Sequence, residues 1–94
     1  MKKSKNVNLI GRNVARLRYQ KGWTQDELVA KMQLLGCDIT HAVIANIETR
    51  RSSVNDRQIA FLAEALGVEI NDLFPQKQHF VEIGFNASVN TITQ

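Results

Sequence analysis

The stretch that decides the fold is THAVIANIET, residues 40–49, which has the pattern of one short amphipathic helix. Thr40 is a favoured N-cap residue, and Ile44 and Ile47 form an apolar stripe at helical spacing. The opposite face carries short or small side chains: His41, Ala42, Ala45 and Asn46. A helix with such an outer face fits the major groove of DNA, but an ordinary surface helix of a small bundle has the same pattern.

The apolar residues on either side of this stretch also recur at helical spacing, so we expect an all-α fold. Further helices are predicted over roughly Leu9–Lys21, Gln25–Leu35, Asp56–Leu66 and a short segment with Ile70, Leu73 and Phe74. Leu9 and Leu35 are expected on the inward stripes of their helices. Thr24 and Glu27 have the spacing of a capping box, which marks the start of the second helix. Glycines at positions 22, 36 and 67 are placed to end helices.

Composition divides the chain into a basic N-terminal arm (residues 1–8), one helical domain (residues 9–75) and a C-terminal extension (residues 76–94). The extension is either disordered or, through its apolar segment 79–85, a short strand that pairs with a second chain. The sequence has no apolar run long enough to span a membrane and no secretory signal. The single cysteine, Cys37, suits a reducing compartment, so a cytoplasmic location is expected.

Positive charge is concentrated in two segments. Residues 1–25 contain seven basic residues and no acid, and residues 50–57 have a net charge of +2. The segments 26–49 and 58–94 each have a net charge of −3. Two basic segments in an otherwise acidic chain suggest a surface that binds a polyanion, although a solvated charged surface would have the same composition.

Four ordered stretches within Leu9–Phe74 resemble the Cro and phage-repressor type of helix-turn-helix domain, the Xre family. They are RYQKGWTQDEL (18–28), THAVIANIE (40–48), LAEALGV (62–68) and DLF (72–74). The resemblance implies a compact, lambda-repressor-like domain of five helices, in which the second and third form the DNA-reading unit. It also implies double-stranded DNA as the partner, bound by a homodimer at two half-sites.

The resemblance assigns roles to particular residues. Gln25 matches a position that holds a phosphate and braces the recognition helix. Base or flanking phosphate contacts are implied for Thr40, His41, Ala42, Val43 and Asn46, with Asn46 the best candidate for reading adenine and His41 a possible donor to guanine or phosphate. Arg18 and Glu48 match a partly buried ion pair that leaves Arg18 able to face phosphate. The loop residues Arg50, Arg51, Ser52 and Ser53 match a stretch that meets the DNA backbone.

One departure from the family pattern lies between Gln25 and Thr40, where this chain has more residues than the common spacing. Either the second helix is longer, or the turn before the third helix is an extended loop. Ile39 can fill the core beneath this turn in both cases.

The sequence contains no paired nucleophile and base, no metal-ligand cluster and no glycine-rich phosphate loop. We therefore expect no enzyme activity, no cofactor, no metal and no small-molecule ligand. The remaining alternative is a helix-turn-helix domain used as a protein-interaction module, such as an antitoxin or a cofactor that bridges two proteins.

Overall fold

The computed structural model describes residues 8–75, which form five helices. They are α1 (Gly11–Gln20), α2 (Gln25–Leu34), α3 (His41–Glu48), α4 (Asp56–Leu66) and α5 (Ile70–Leu73). No strand is present within residues 8–75, so the expected five-helix, all-α architecture is confirmed. None of these helices is long and apolar enough to cross a membrane. The predicted arm and the predicted extension lie outside the described residues, apart from Asn8.

The core lies where α3 and α4 pack against α1 and α2. Each helix contributes side chains at helical spacing, which is why the periodicity of the sequence located them. The fully buried apolar side chains are Ile10, Val14, Leu28, Met32, Ile44, Ile47, Leu62, Leu66 and Leu73. The predicted inward stripe of α3 is therefore confirmed, because both of its isoleucines reach this core.

Four helices end in the same hydrogen-bond pattern, the Schellman motif, in which a backbone amide binds the carbonyl five residues earlier. The pairs are Trp23 to Arg18, Cys37 to Met32, Arg51 to Asn46 and Val68 to Ala63. The preceding residue has a positive φ each time, and three of these residues are the predicted glycines. The fourth is Arg50, with a φ of 63°. The end of α3 thus uses an arginine where the other helices use glycine.

The connection between α2 and α3 covers residues 35–40. The side-chain amide of Gln33 donates to the Ile39 carbonyl at 2.9 Å, and both Cys37 and Ile39 are buried. The predicted role of Ile39 as a core residue beneath the turn is confirmed. The expectation for Leu35 is wrong, because α2 ends at Leu34 and Leu35 is exposed in the turn.

The start of α1 also differs from the prediction. Leu9 lies outside the helix and its side chain is 54% exposed, whereas Asn8 is buried. The Asn8 side chain accepts hydrogen bonds from the amides of Ile10 and Gly11, so a buried polar residue binds the backbone at the start of this helix. Gly11 packs directly on α3, since a Cβ at this position would lie 2.2 Å from the Ile47 carbonyl oxygen.

Candidate nucleic-acid interface

Helix α3 buries one face and presents the other to solvent. Thr40 is its N-cap, and the Thr40 hydroxyl accepts a hydrogen bond from the Val43 amide at 3.3 Å. The side chains of His41, Ala42 and Asn46 are exposed on the outer face. Val43 is half-buried, so only part of its side chain can meet a partner. The face opposite the core is therefore composed of short side chains with two polar groups, the His41 ring and the Asn46 amide.

A buried ion pair fixes the C-terminal end of α3. Arg18 of α1 donates from Nε to Glu48 Oε2 at 2.7 Å and from Nη2 to Glu48 Oε1 at 3.0 Å. Its Nη1 donates to the Trp23 carbonyl at 2.7 Å. The hydrogen bonds that Arg18 donates to Glu48 raise the pKa of Arg18 and outweigh the opposing effect of burial. The predicted pairing of Arg18 with Glu48 is confirmed. Its two hydrogen bonds fix the orientation of both side chains in addition to pairing their charges.

The same glutamate also holds α2. The Gln25 side-chain amide donates to Glu48 Oε1 at 3.0 Å, so the bracing role expected of Gln25 is confirmed. Gln25 is half-buried, and its contact with phosphate stays a prediction. The expectation that Arg18 also faces phosphate is wrong for this structure, because Arg18 is 6% exposed and its guanidinium is engaged by Glu48 and Trp23.

A second pair links the N-terminal ends of α2 and α3. His41 Nδ1 lies 2.5 Å from Asp26 Oδ1, and both side chains are exposed. His41 is a predicted site residue, whereas Asp26, an acid in the first turn of α2, was not predicted as its partner. The spacing of 15 residues gives no local signal for such a pair.

Asn8 is a further residue that the sequence analysis missed. Its Nδ2 donates to the Ile47 carbonyl at 2.8 Å and to the Ser52 carbonyl at 3.1 Å. Its own carbonyl accepts from Arg50 Nε at 3.0 Å. Asn8 therefore connects the beginning of α1 to the end of α3 and to the loop that follows.

The residues predicted to contact the DNA backbone lie around this connection between α1 and the end of α3. Arg51 is exposed, whereas Arg50 and Ser52 are half-buried. Arg50 lines a surface cavity of about 240 Å³ together with Leu9, Arg12, Asn13 and Pro75. The fold thus brings Arg12, from the first basic segment, beside Arg50, from the second. Positive charge gathers at the C-terminal end of α3, while Asp26 places negative charge at its N-terminal end.

No group of three or more histidine, cysteine, aspartate or glutamate side chains within residues 8–75 is arranged to hold a metal ion. The only cysteine, Cys37, is buried and unpaired.

Comparisons with known proteins bear on this arrangement. The sequence model of a family described as helix-turn-helix matches residues 14–73. The chain is similar to the crystal structure of a hypothetical transcription factor, NHTF, from Neisseria, with a TM-score of 0.66 and 22% sequence identity. That alignment covers 86% of this chain and 90% of the other, and at such identity it supports the fold alone. A search of curated proteins found no significant match.

Proposed function

This chain belongs to the helix-turn-helix family, and we propose that it regulates transcription by binding specific sites on double-stranded DNA. The family match confirms the resemblance to the Cro and phage-repressor type and supports the coarser part of this proposal, a DNA-binding transcriptional regulator. The finer parts are that α3 reads the major groove, that the chain binds as a homodimer and that its binding represses transcription. Repression needs only that the bound protein occupy a site required by the transcription machinery.

The outer face of α3 is the observation that carries the proposal. Ile44 and Ile47 are fully buried beneath it, and Glu48 anchors its end to two other helices. A rigid helix with short outward side chains can approach base edges closely enough for direct readout. In this arrangement Asn46 would bond adenine through both groups of its amide, and Ala42 and Val43 would pack against thymine methyl groups.

Contacts with the DNA backbone would flank the reading helix. Thr40 and Gln25 lie near the N-terminal ends of α3 and α2, where free backbone amides favour phosphate oxygens. Arg50, Arg51 and Ser52 lie at the other end of α3, where Arg50 shares a surface cavity with Arg12. These contacts would fix the position of α3 on the duplex and would contribute a salt-dependent part of the affinity.

A homodimer would place two such helices in successive major grooves. One domain contacts few base pairs, so half-sites about 34 Å apart are expected. We propose segment 66–74 as the dimer contact, because Ile70 on α5 is 47% exposed there. The alternative contact, segment 79–85, lies outside the described residues.

Selection of duplexes from a random pool would test the proposal. We expect an enriched, two-fold symmetric motif whose binding weakens steeply between about 50 and 200 mM salt. Asn46→Ala should lose about 1–3 kcal/mol of discrimination at one base pair of each half-site while random DNA binds as before. Gln20→Ala, which removes an exposed amide from the end of α1, is the matched control and should leave selection unchanged.

Two outcomes would count against the proposal. Equal losses on selected and random duplexes with Asn46→Ala would remove the readout role of this residue. Failure to bind any duplex at low salt would instead favour the protein-interaction module, for which the apolar Ala42 and Val43 on the outer face of α3 are the supporting observation.

A further inference from the structure

The side chains of His41 and Asp26 lie in contact at the N-terminal ends of two helices. Asp26 is the second residue of α2 and His41 is the first residue of α3, so the contact joins the leading ends of both helices. His41 Nδ1 lies 2.5 Å from Asp26 Oδ1, within hydrogen-bond distance. The side chains are 55% and 78% exposed, so the rest of the His41 ring is accessible to a partner.

The hydrogen bond between these two side chains can form in only one direction. An ionised carboxylate only accepts hydrogen bonds, so the His41 ring must donate from Nδ1. A neutral imidazole has one donor nitrogen and one acceptor nitrogen. With the proton on Nδ1, the neutral His41 ring presents Nε2 as an acceptor.

Charges and hydrogen bonds around the pair favour this arrangement. Among the residues that the structure describes, Asp26 makes no other side-chain hydrogen bond, so its carboxylate remains available to His41. The neighbouring Glu27 carboxylate is occupied by the Thr24 amide at 2.7 Å. His41 Nε2 has no hydrogen-bond partner within residues 8–75, so it can accept one from a ligand.

We infer that Asp26 is a positioning residue that makes neutral His41 select base edges that donate hydrogen bonds. In the major groove these donors are adenine N6 and cytosine N4, whereas guanine offers only acceptors. This inference rests on the proposed function, because it requires α3 to face a duplex. It replaces the expectation from the sequence that His41 donates to guanine.

The first experiment uses the free, full-length protein and needs no DNA. The ring nitrogens of ¹⁵N-labelled histidine are measured by NMR at pH 8.5, above the range in which histidines ordinarily change charge. The chain has two histidines, His41 and His79, and a His79→Gln variant assigns the signals. We expect a proton on Nδ1 of His41, and in Asp26→Ala we expect the population to move toward the tautomer with the proton on Nε2.

A matched control separates the hydrogen bond from the loss of charge. Asp56→Ala removes an exposed acid from the first turn of α4, just as Asp26→Ala does from α2. Asp56→Ala should leave the His41 tautomer unchanged. Asp26→Asn, which preserves the size of the side chain, covers the case in which the alanine variant folds poorly. An Nε2 proton on His41 in the unmodified protein would overturn the inference whatever the DNA result.

The second experiment measures base preference at pH 8.5 on duplexes that differ at single positions of the selected motif. We expect one position at which adenine or cytosine binds about fivefold tighter than guanine, the ratio that one hydrogen bond provides. Asp26→Ala should bring that ratio close to one and leave the position read by Asn46 unchanged.

The two experiments have distinguishable failures. If the protein selects a motif but Asp26→Ala changes no base ratio, the inference fails while the proposed function stands. If no duplex is selected at all, the proposed function fails and the inference falls with it, even where NMR finds the expected tautomer.

Discussion

Glu48 accepts hydrogen bonds from Arg18, which lies 30 residues earlier in the chain, and from Gln25, which lies 23 residues earlier. Both members of the ion pair are buried, so each charge depends on the other for compensation. A single glutamate thereby sets the position of three helices. The pair matters for stability because disrupting it would leave one charge buried without a partner.

Glu48→Ala should lower the free energy of unfolding by about 3–5 kcal/mol, because the Arg18 charge stays buried without its partner. Urea unfolding followed by circular dichroism measures this change. The double variant Arg18→Met with Glu48→Leu should lose much less, since no charge is then stranded. A double variant less stable than Glu48→Ala would contradict this explanation.

Arg50 has a left-handed backbone conformation, and comparing two substitutions at this position tests its cost. Arg50→Gly and Arg50→Ala both remove the hydrogen bond to the Asn8 carbonyl. Only glycine also relieves the unfavourable backbone conformation, so the glycine variant should be more stable than the alanine variant by about 1 kcal/mol. Thermal unfolding of the two variants measures the difference.

DNA binding should not distinguish these two variants. Each lacks the same cation, so we expect equal losses of affinity on all sequences and a salt slope reduced by about 1 in both. Titrations at several salt concentrations would measure the slope. Unequal slopes would mean that backbone geometry, not the charge of Arg50, determines the phosphate contact.

At the scale of helices, both ends of α3 are bound to other parts of the domain. His41 contacts α2 at the N-terminal end, while Glu48 and the carbonyl of Ile47 contact other parts of the chain at the C-terminal end. Asn8 takes part in the second junction through both groups of its side-chain amide. The end of α3 and the beginning of α1 are therefore bound by the same side chain.

Asn8→Ala should lower the free energy of unfolding by about 2–4 kcal/mol, because it leaves buried backbone groups without partners. Those groups are the Ile10 and Gly11 amides, which donate to the Asn8 side chain. Hydrogen exchange should accelerate at the Arg50 and Arg51 amides, which close the end of α3. Gln20→Ala, at an exposed site at the end of α1, should stay within about 0.5 kcal/mol of the unmodified protein.

The helices and their ends could be predicted from the sequence because they depend on residues that lie close together in the chain. Thr24 and Glu27 form the predicted capping box, and Gly67 has the expected left-handed conformation. Leu9 was misplaced because periodicity alone does not reveal that the buried Asn8 binds the backbone at the start of α1. Among site residues, the role of Glu48 came from the family resemblance. Asp26 was missed as a partner of His41 because pairing between distant residues leaves no local pattern.

At the scale of the whole molecule, the exposed apolar side chains indicate where a second copy could bind. Leu34 at the end of α2 is 86% exposed and Ile70 on α5 is 47% exposed. The proposed homodimer uses the segment that contains Ile70. A two-fold arrangement would bury that segment against itself, because an isologous interface contains the same surface twice.

Ile70→Glu should therefore weaken the dimer, because it places like charges opposite each other in a desolvated contact. Sedimentation equilibrium would measure the dissociation constant, which we expect to rise at least about tenfold for a loss of 1.4 kcal/mol or more. Leu34→Glu is the control at an apolar and more exposed site outside α5. If only Leu34→Glu weakened the dimer, the contact would lie at the end of α2.

The close approach of Gly11 to the Ile47 carbonyl restricts how this domain can vary. A methyl group at position 11 would overlap a main-chain atom, which cannot rotate aside as a side chain can. Substitutions on the exposed surface of α1 meet no such barrier. Divergence of this chain over time should therefore proceed freely on the exposed surface of α1 but not at position 11, and a descendant that lost this glycine would need its first helix shifted away from α3.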